Sequence, residues 1–387
     1  MPQLADFLVV GAGFSGAVVA RELVERTGKN VTVLDQRSHL AGNCHTARDP
    51  ATQVMMHLYG PHIFNTDSTE VWNYVQRFGK FHPFINHVMA RTADGTFSLP
   101  INLLTINQFF GKKFDSEQAR AFVASLGDPS ISEPKNFEEQ ALKSVGRQLY
   151  DAFYYGYTCK QWGCEPRELP ASIFRRLPIR FDTNDNYYDT RYQGIPENGY
   201  SSVIEAMLDH SLIDVRLNSN FDPKDGTDYR HVFYTGQIDG YFGFNEGRLG
   251  YRTLHFERIE ADGDYQGHAV INYTGLNVPH TRIHEHKHLA PWETHLRTVA
   301  LREYSRETKP DDVPYYPVRR EQDKAILARY VIQARALKGI SFLGRLATYR
   351  YLDMDDVIAE ALAFVQNFLE KDIRGTQLPT FSVDPAL

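Results

Sequence analysis

The stretch FLVVGAGFSGAVVARELVE, residues 7–25, decides the fold. Its first four residues are a continuous apolar run of strand type, and Val18, Val19 and Leu23 then recur at helical spacing. Between them stand Gly11, Gly13 and Gly16 in a G-x-G-x-x-G turn that also contains Phe14 and Ser15. In such a turn the first glycine permits a tight bend, the second lets backbone approach a pyrophosphate, and the third lets helix and strand pack closely. The helix start offers free N–H groups to phosphate. A second apolar strand, NVTVLD over 30–35, ends in Asp35, about twenty residues beyond the glycines, where a carboxylate takes ribose hydroxyls. Strand, turn, helix, second strand and terminal acid in this order predict a dinucleotide-binding domain. A structural glycine turn in some other α/β domain is the competing reading.

At 387 residues the chain is too long for one ordinary core, so two or three subdomains with a cleft between them are expected. Forty-two basic against 48 acidic residues leave a net charge of -6, which argues against nucleic acid or an anionic membrane as partner. Any polyanion must then be met by local charges. Cys44, Cys159 and Cys164 form an odd set without framework spacing, as expected of unpaired thiols in the cytoplasm. The apolar run 7–20 is preceded by Asp6 and cut by three glycines, so it reads as neither a signal sequence nor a membrane span. Aromatic residues make up 13%, and tyrosines cluster in polar stretches, where a ring with a polar handle suits a binding surface.

The pattern changes twice along the chain. From about 102 to 176 it is helical, with SEQARAFVASL and FEEQALKSVGRQLYDAFYYGY as amphipathic segments; from about 251 to 302, HAVINY, TRIHEHKHL and RTVALREY alternate like antiparallel strands. Near the end, FLGRLATYRYLDMDDVIAEAL places Gly344 and Arg345 after a strand and before a helix that begins near Asp353 and Met354. The expected fold is therefore α/β: a discontinuous Rossmann-type FAD domain (1–85, 196–245 and 332–373) with a helical insert (98–180) and an antiparallel β-sheet insert (86–97, 181–195 and 246–331). Residues 374–387 read as an unstructured tail. FAD is preferred over NAD because DQRSHLAGNCHT, with Gln36, Arg37, Gly42 and Asn43, resembles the segment after the second strand of FAD-dependent oxidoreductases of the glutathione-reductase and amine-oxidase type.

Taken in order, the dinucleotide motif, YGPHIFNT, GYTCKQWG, RRLPIRFDTNDNYY, YQGIPENGY, AVINY, TRIHEHKH, PYYPV and GRLATYRYLDMD resemble the prokaryotic UDP-galactopyranose mutases over roughly residues 7–371. The resemblance implies interconversion of UDP-galactopyranose and UDP-galactofuranose, through an adduct of the sugar with N5 of reduced FAD, to supply galactofuranose for cell-surface glycans. It also implies a homodimer and an external reductant such as NADPH. No protein nucleophile is then required, and the sequence has no G-x-S-x-G and no evident carboxylate dyad.

The same resemblance implies roles for individual residues. Tyr157 would stack on uracil, with Thr158, Trp162, Phe153, Asn86 and Asn272 around the nucleotide; read without the family, Tyr157 and Trp162 could equally be core aromatics of a helical insert. Arg176 and Arg282 would clamp the diphosphate, with Arg175 and Arg180 as contrasting arginines. Tyr187, Tyr316 and Tyr351 would hold phosphate oxygens, Asp353 would stand near the sugar, and Arg345 and His62 beside the flavin.

Two rival readings accompany this one. His284, His286 and His288 alternate along an expected strand and could face a zinc ion together, a reading set aside because no supporting carboxylate is identifiable. An amine-oxidase-type FAD oxidoreductase would bleach its flavin with substrate, whereas a mutase would need prior reduction. The family usually carries Gly where Ala41 stands, Glu where Asp35 stands and His where Asn65 stands. The last departure leaves open the same chemistry on another sugar nucleotide, UDP-N-acetylgalactopyranose or a dTDP-deoxysugar.

Overall fold

A Cβ on Gly16 would lie 1.9 Å from the carbonyl oxygen of Gly11, so the missing side chain is what lets helix Phe14–Thr27 sit against strand Ala5–Val10. The structure, a computed structural model, describes residues 5–176 and 178–385. The first strand is the centre of a five-stranded parallel sheet ordered Ile213–Arg216, Val31–Leu34, Ala5–Val10, Tyr229–Tyr234, Ile340–Phe342. Phe7 and Val9 pack with Val18, Leu23, Val203 and Phe364 on one face, while Leu8 packs with Val232, Tyr330 and Phe342 on the other. Burial on both faces is why FLVV is apolar throughout rather than alternating.

The sheet's members come from stretches more than 300 residues apart, and one contact explains how the distant piece returns. Gly344, at φ 82°, follows strand Ile340–Phe342, and a Cβ there would stand 2.4 Å from Ser15 Oγ. The second strand–turn–helix thus abuts the first at the start of its helix, and helix Met354–Ile373 then packs beside helix Phe14–Thr27 in the same buried cluster.

Between these pieces lie the helices Leu103–Phe110, Ser116–Leu126, Phe137–Leu149 and Gly156–Trp162, the last reached through a π-helical stretch at Tyr150–Tyr155. Asn102, Asp115 and Asn136 cap the first three by accepting backbone N–H bonds, which fixes where each helix starts. A seven-stranded sheet follows, ordered Tyr316–Pro317, Tyr251–Asp262, Arg297–Glu307, Arg282–Glu285, Val270–Tyr273, Val88–Arg91, Thr96–Leu99.

Three expectations are corrected. The large insert sheet is mixed rather than antiparallel, because Val270–Tyr273 runs parallel to Val88–Arg91. Alternation predicts a strand but not its direction, and the long crossover between these two permits either. Residues 374–385 are not a loose tail: Phe381 bridges Phe342, Ser341 Oγ donates to Pro379 O, and Arg335 pairs with Asp384, so they cover the edge of the parallel sheet. Finally, strand Arg282–Glu285 stops before His286, and His286–Leu289 forms a 3-10 turn, so His284, His286 and His288 do not alternate along one strand.

Candidate active site

Gly13 faces Gly42 backbone to backbone, a Cβ on Gly13 lying 4.0 Å from the Gly42 Cα, which leaves a cradle lined by main chain. Arg37 stands beside it, its Nη2 donating to Asn43 Oδ1 at 2.8 Å and its guanidinium 4.8 Å over the Tyr59 ring. Its Nη1 is buried with no hydrogen-bond partner. A buried cationic nitrogen of this kind calls for an anion, and the diphosphate of a dinucleotide supplies one. These residues fit FAD. Asp35 has a further task that the motif reading missed: Oδ2 accepts from Ala12 N at 2.8 Å and Oδ1 from Arg37 N at 2.9 Å, so the acid also ties the glycine turn to the second strand. Gln36 is exposed, Asn43 donates to Pro314 O, and Phe14 is packed edge-on against Tyr200 as core. Met354 opens the returning helix and is partly buried against the same core.

Arg345 is pinned by the carbonyls of Leu352 and Tyr315 and lies 5.0 Å from the Tyr351 ring. Tyr351 stacks on Tyr316 at 5.6 Å, with 11° between the planes. His62 Nδ1 is 2.7 Å from Gly60 O, and since a carbonyl only accepts, that nitrogen carries the proton and Nε2 is left as an acceptor. Burial holds this imidazole down to about 4, so it is neutral at physiological pH. Asp353 is exposed just before helix Met354–Ile373.

The structure brings together most of the residues assigned to the nucleotide. Tyr157 is a half-buried residue whose hydroxyl is pushed well above its ordinary pKa by burial and lies in the field of Arg282, Glu303, Tyr187 and Tyr316. Thr158 is buried beside it on the same helix, and Trp162 lies at that helix's end against the core of the helical insert. Asn272 and Asn86 are buried, and the side-chain oxygen of each has no hydrogen-bond partner, which leaves each an open acceptor. Phe153 differs: its ring is buried edge-on to Phe97 and Phe109 and belongs to the core of the insert. The side chain of Arg176 lies outside the described residues. Arg180 holds the 184–186 turn through the carbonyls of Asn184 and Asn186, as suits an arginine without a ligand role.

Sequence reasoning missed the group that orients Arg282. Glu303, fully buried, accepts from Arg282 Nε at 2.8 Å and from Thr281 Oγ1 at 3.1 Å, and lies 3.2 Å from His284 Nε2. Burial would raise its carboxyl, but Arg282 and then His284 bring it to about 2. Burial works against the Arg282 charge too, and Glu303 overrides it, lifting the guanidinium well above its ordinary value. The signal was available: Val299, Leu301 and Glu303 share the inward parity of strand Arg297–Glu307, so an acid stands where apolar residues alternate.

Asp264, Glu285 and His288 come within 4.8 Å of one another. The Glu285 carboxylate, however, accepts from the backbone N–H groups of Tyr265, Gln266 and Gly267, and Lys287 pairs with Asp264, so this cluster holds a turn.

A family profile described as UDP-galactopyranose mutase matches residues 152–351, and one described as an NAD(P)-binding Rossmann-like domain matches residues 9–78. A Klebsiella pneumoniae protein named as a probable UDP-galactopyranose mutase is 51% identical over 98% of this chain and 98% of its own. A dTDP-fucopyranose mutase of Escherichia coli is 44% identical over 94% of this chain and 98% of its own. In fold, a crystal structure of reduced UDP-galactopyranose mutase matches 98% of this chain and 99% of its own with a TM-score of 0.75, at 13% identity. Among the described residues no helix is long and apolar enough to cross a membrane.

Proposed function

The chain belongs to the UDP-galactopyranose mutase family, and on that premise we propose that it interconverts UDP-galactopyranose and UDP-galactofuranose. The observation that carries the reading is the junction of strands Val270–Tyr273 and Arg282–Glu285, where the unpartnered Asn272 amide oxygen and the Arg282 guanidinium come from directly paired residues. One element pair thus offers an acceptor to the base and a cation to the diphosphate. FAD is the cofactor, and when bound in its reduced form it supplies the nucleophile for the anomeric carbon. The chain's own residues do the rest. Tyr157 presents a ring to uracil, and Arg282, together with Arg176 of the facing insert, neutralises the diphosphate as it departs and returns. The hydroxyls of Tyr187, Tyr316 and Tyr351 hold phosphate oxygens, and His62 Nε2 is a hydrogen-bond acceptor beside the flavin. Closure of these walls excludes water from the reacting carbon. The product serves cell-surface glycan synthesis; the enzyme is a cytoplasmic homodimer, kept reduced by a donor such as NADPH. The experiment is anaerobic incubation of dithionite-reduced protein with UDP-galactopyranose. Furanose formed without net oxidation of flavin or sugar supports the mutase, and stoichiometric oxidation of substrate supports an oxidase instead.

A second reading, ring contraction of another sugar nucleotide, is favoured by Asn65 and by the 44% identical relative that acts on dTDP-fucopyranose. Asn65 is loosely held, its amide 3.4 Å from both Ile63 O and Thr190 Oγ1. An amide is smaller than imidazole and cannot ionise. Discrimination between UDP-galactose and UDP-N-acetylgalactosamine is therefore expected to be weaker here than in a histidine-bearing relative, with Asn65→His restoring it. Equal ratios of kcat/KM for the two sugars in both proteins would remove Asn65 as the selector.

A further inference from the structure

Lys160 lies within GYTCKQWG, and its side chain reaches the turn between strands Val270–Tyr273 and Arg282–Glu285. Its ammonium stands 2.7 Å from Tyr273 O and 2.9 Å from each of the carbonyl oxygens of Gly275, Val278 and His280. Four acceptors around three donors are a shell of the kind water would give a cation, built here from main chain. A neutral amine would turn a lone pair on one of these oxygens, so the geometry requires the charged form. Burial lowers the group to about 8, which leaves it mostly charged at neutral pH.

One turn earlier on the same helix face, Gly156 lets the turn approach the helix closely: a Cβ there would lie 2.3 Å from Thr274 O. The C-terminal carbonyls of the same short helix are also held. Arg252 donates to Gln161 O at 3.0 Å and to Lys160 O at 3.3 Å, and Ser305 Oγ donates to Gln161 O at 2.7 Å. The helix carries Tyr157 and Thr158. The turn that Lys160 gathers begins after Asn272 and ends before Arg282. The lysine therefore ties the helix that carries Tyr157 and Thr158 to the turn between Asn272 and Arg282.

We propose that Lys160 is a positioning residue for the nucleotide, its ammonium holding the 273–280 turn so that Asn272 and Arg282 stand at a fixed distance from Tyr157 and Thr158. This rests on the reading of a UDP-sugar substrate. A rigid joint lowers the ordering that a bound nucleotide must otherwise impose, so its loss weakens ground-state and transition-state binding alike.

The test uses FAD-loaded Lys160→Met, with Lys160→Gln as a milder variant that keeps two donors. UDP binding is measured by calorimetry on the oxidised holoenzyme, and kcat and KM on the reduced one. The expected result is a rise of roughly tenfold or more in the dissociation constant for UDP and in KM, with kcat within about threefold and FAD content unchanged, Lys160→Gln falling between Met and wild type. Wild-type UDP affinity retained in Lys160→Met overturns the inference. So does loss of FAD from both variants, which assigns the lysine to folding at large. Failure of the wild type itself to bind UDP strikes the substrate reading instead, so the two failures are told apart.

Discussion

Arg282→Ala should lower kcat/KM of the reduced enzyme by about 2–4 kcal/mol, as much as three orders of magnitude, while FAD stays bound. Two effects add. The diphosphate loses a forked cation, and Glu303, fully buried, loses the charge that holds its carboxyl down near 2. The Arg282 side chain is 22% exposed and ties only its Nε to Glu303 among the described residues, which leaves the outer edge of the fork for a ligand. Arg282→Lys should recover part of the binding but not the geometry, because an ammonium cannot grip the acid and a phosphate side by side. Steady-state kinetics of Arg282→Ala beside Arg175→Ala decides the matter: an equal loss in both would mean that charge in general, not this clamp, was removed.

Glu303→Gln should cost about 1.5–3 kcal/mol of folding stability near neutral pH, since hydrogen bonds to a charged group are replaced by weaker ones around a buried amide. The pH dependence has a definite sign. The carboxyl is lowered from an unfolded value near 4.3 to about 2, so its contribution is complete above roughly pH 5 and is lost as pH falls toward 2. His57, His62, His284 and His286 act in the same direction at higher pH. Burial lowers each of them in the folded state, to about 4 for His62 and about 3 for His286, so stability from keeping them neutral is full above about 6.5 and declines below it. Melting temperature should accordingly fall as pH drops from 7 to 5 in both proteins, and the further fall below 5 should be shallower in Glu303→Gln. Parallel curves below pH 5 would show that the carboxylate is not the group being lost.

What the sequence made legible is what local chemistry determines. The glycine turn, the strand before it and the helix after it occupy one contiguous stretch, and each residue's task there follows from its neighbours. The start of the last helix at Asp353 was legible for the same reason. Partners drawn from distant stretches were not. Glu303 meets Arg282 only because two strands adopt one register, and Lys160 meets four carbonyls only because a turn more than a hundred residues later folds over it. The TRIHEHKH segment misled because a period of two does not say where a strand ends: Glu285 is drawn into capping the 265–267 backbone, and the chain coils after it. Asn65 was noticed only through a departure from a pattern; its two hydrogen bonds, both 3.4 Å long, join it to residues 63 and 190 and could not be read from the local sequence.

The contact of Gly344 with Ser15 also constrains biosynthesis. A ribosome delivers the glycine turn first and the residues that close against it more than 300 positions later. At about 5–20 residues per second the first half of the cradle waits many seconds for its second half, while both inserts emerge in between. Until strand Ile340–Phe342 leaves the exit tunnel, Tyr229–Tyr234 is an open parallel edge, with its apolar faces uncovered by the final helix. Flavin capture that needs both halves of the cradle is therefore expected only once synthesis is nearly complete. Nascent chains stalled before residue 340 should therefore depend on chaperones and hold no FAD, whichever substrate the finished enzyme turns over.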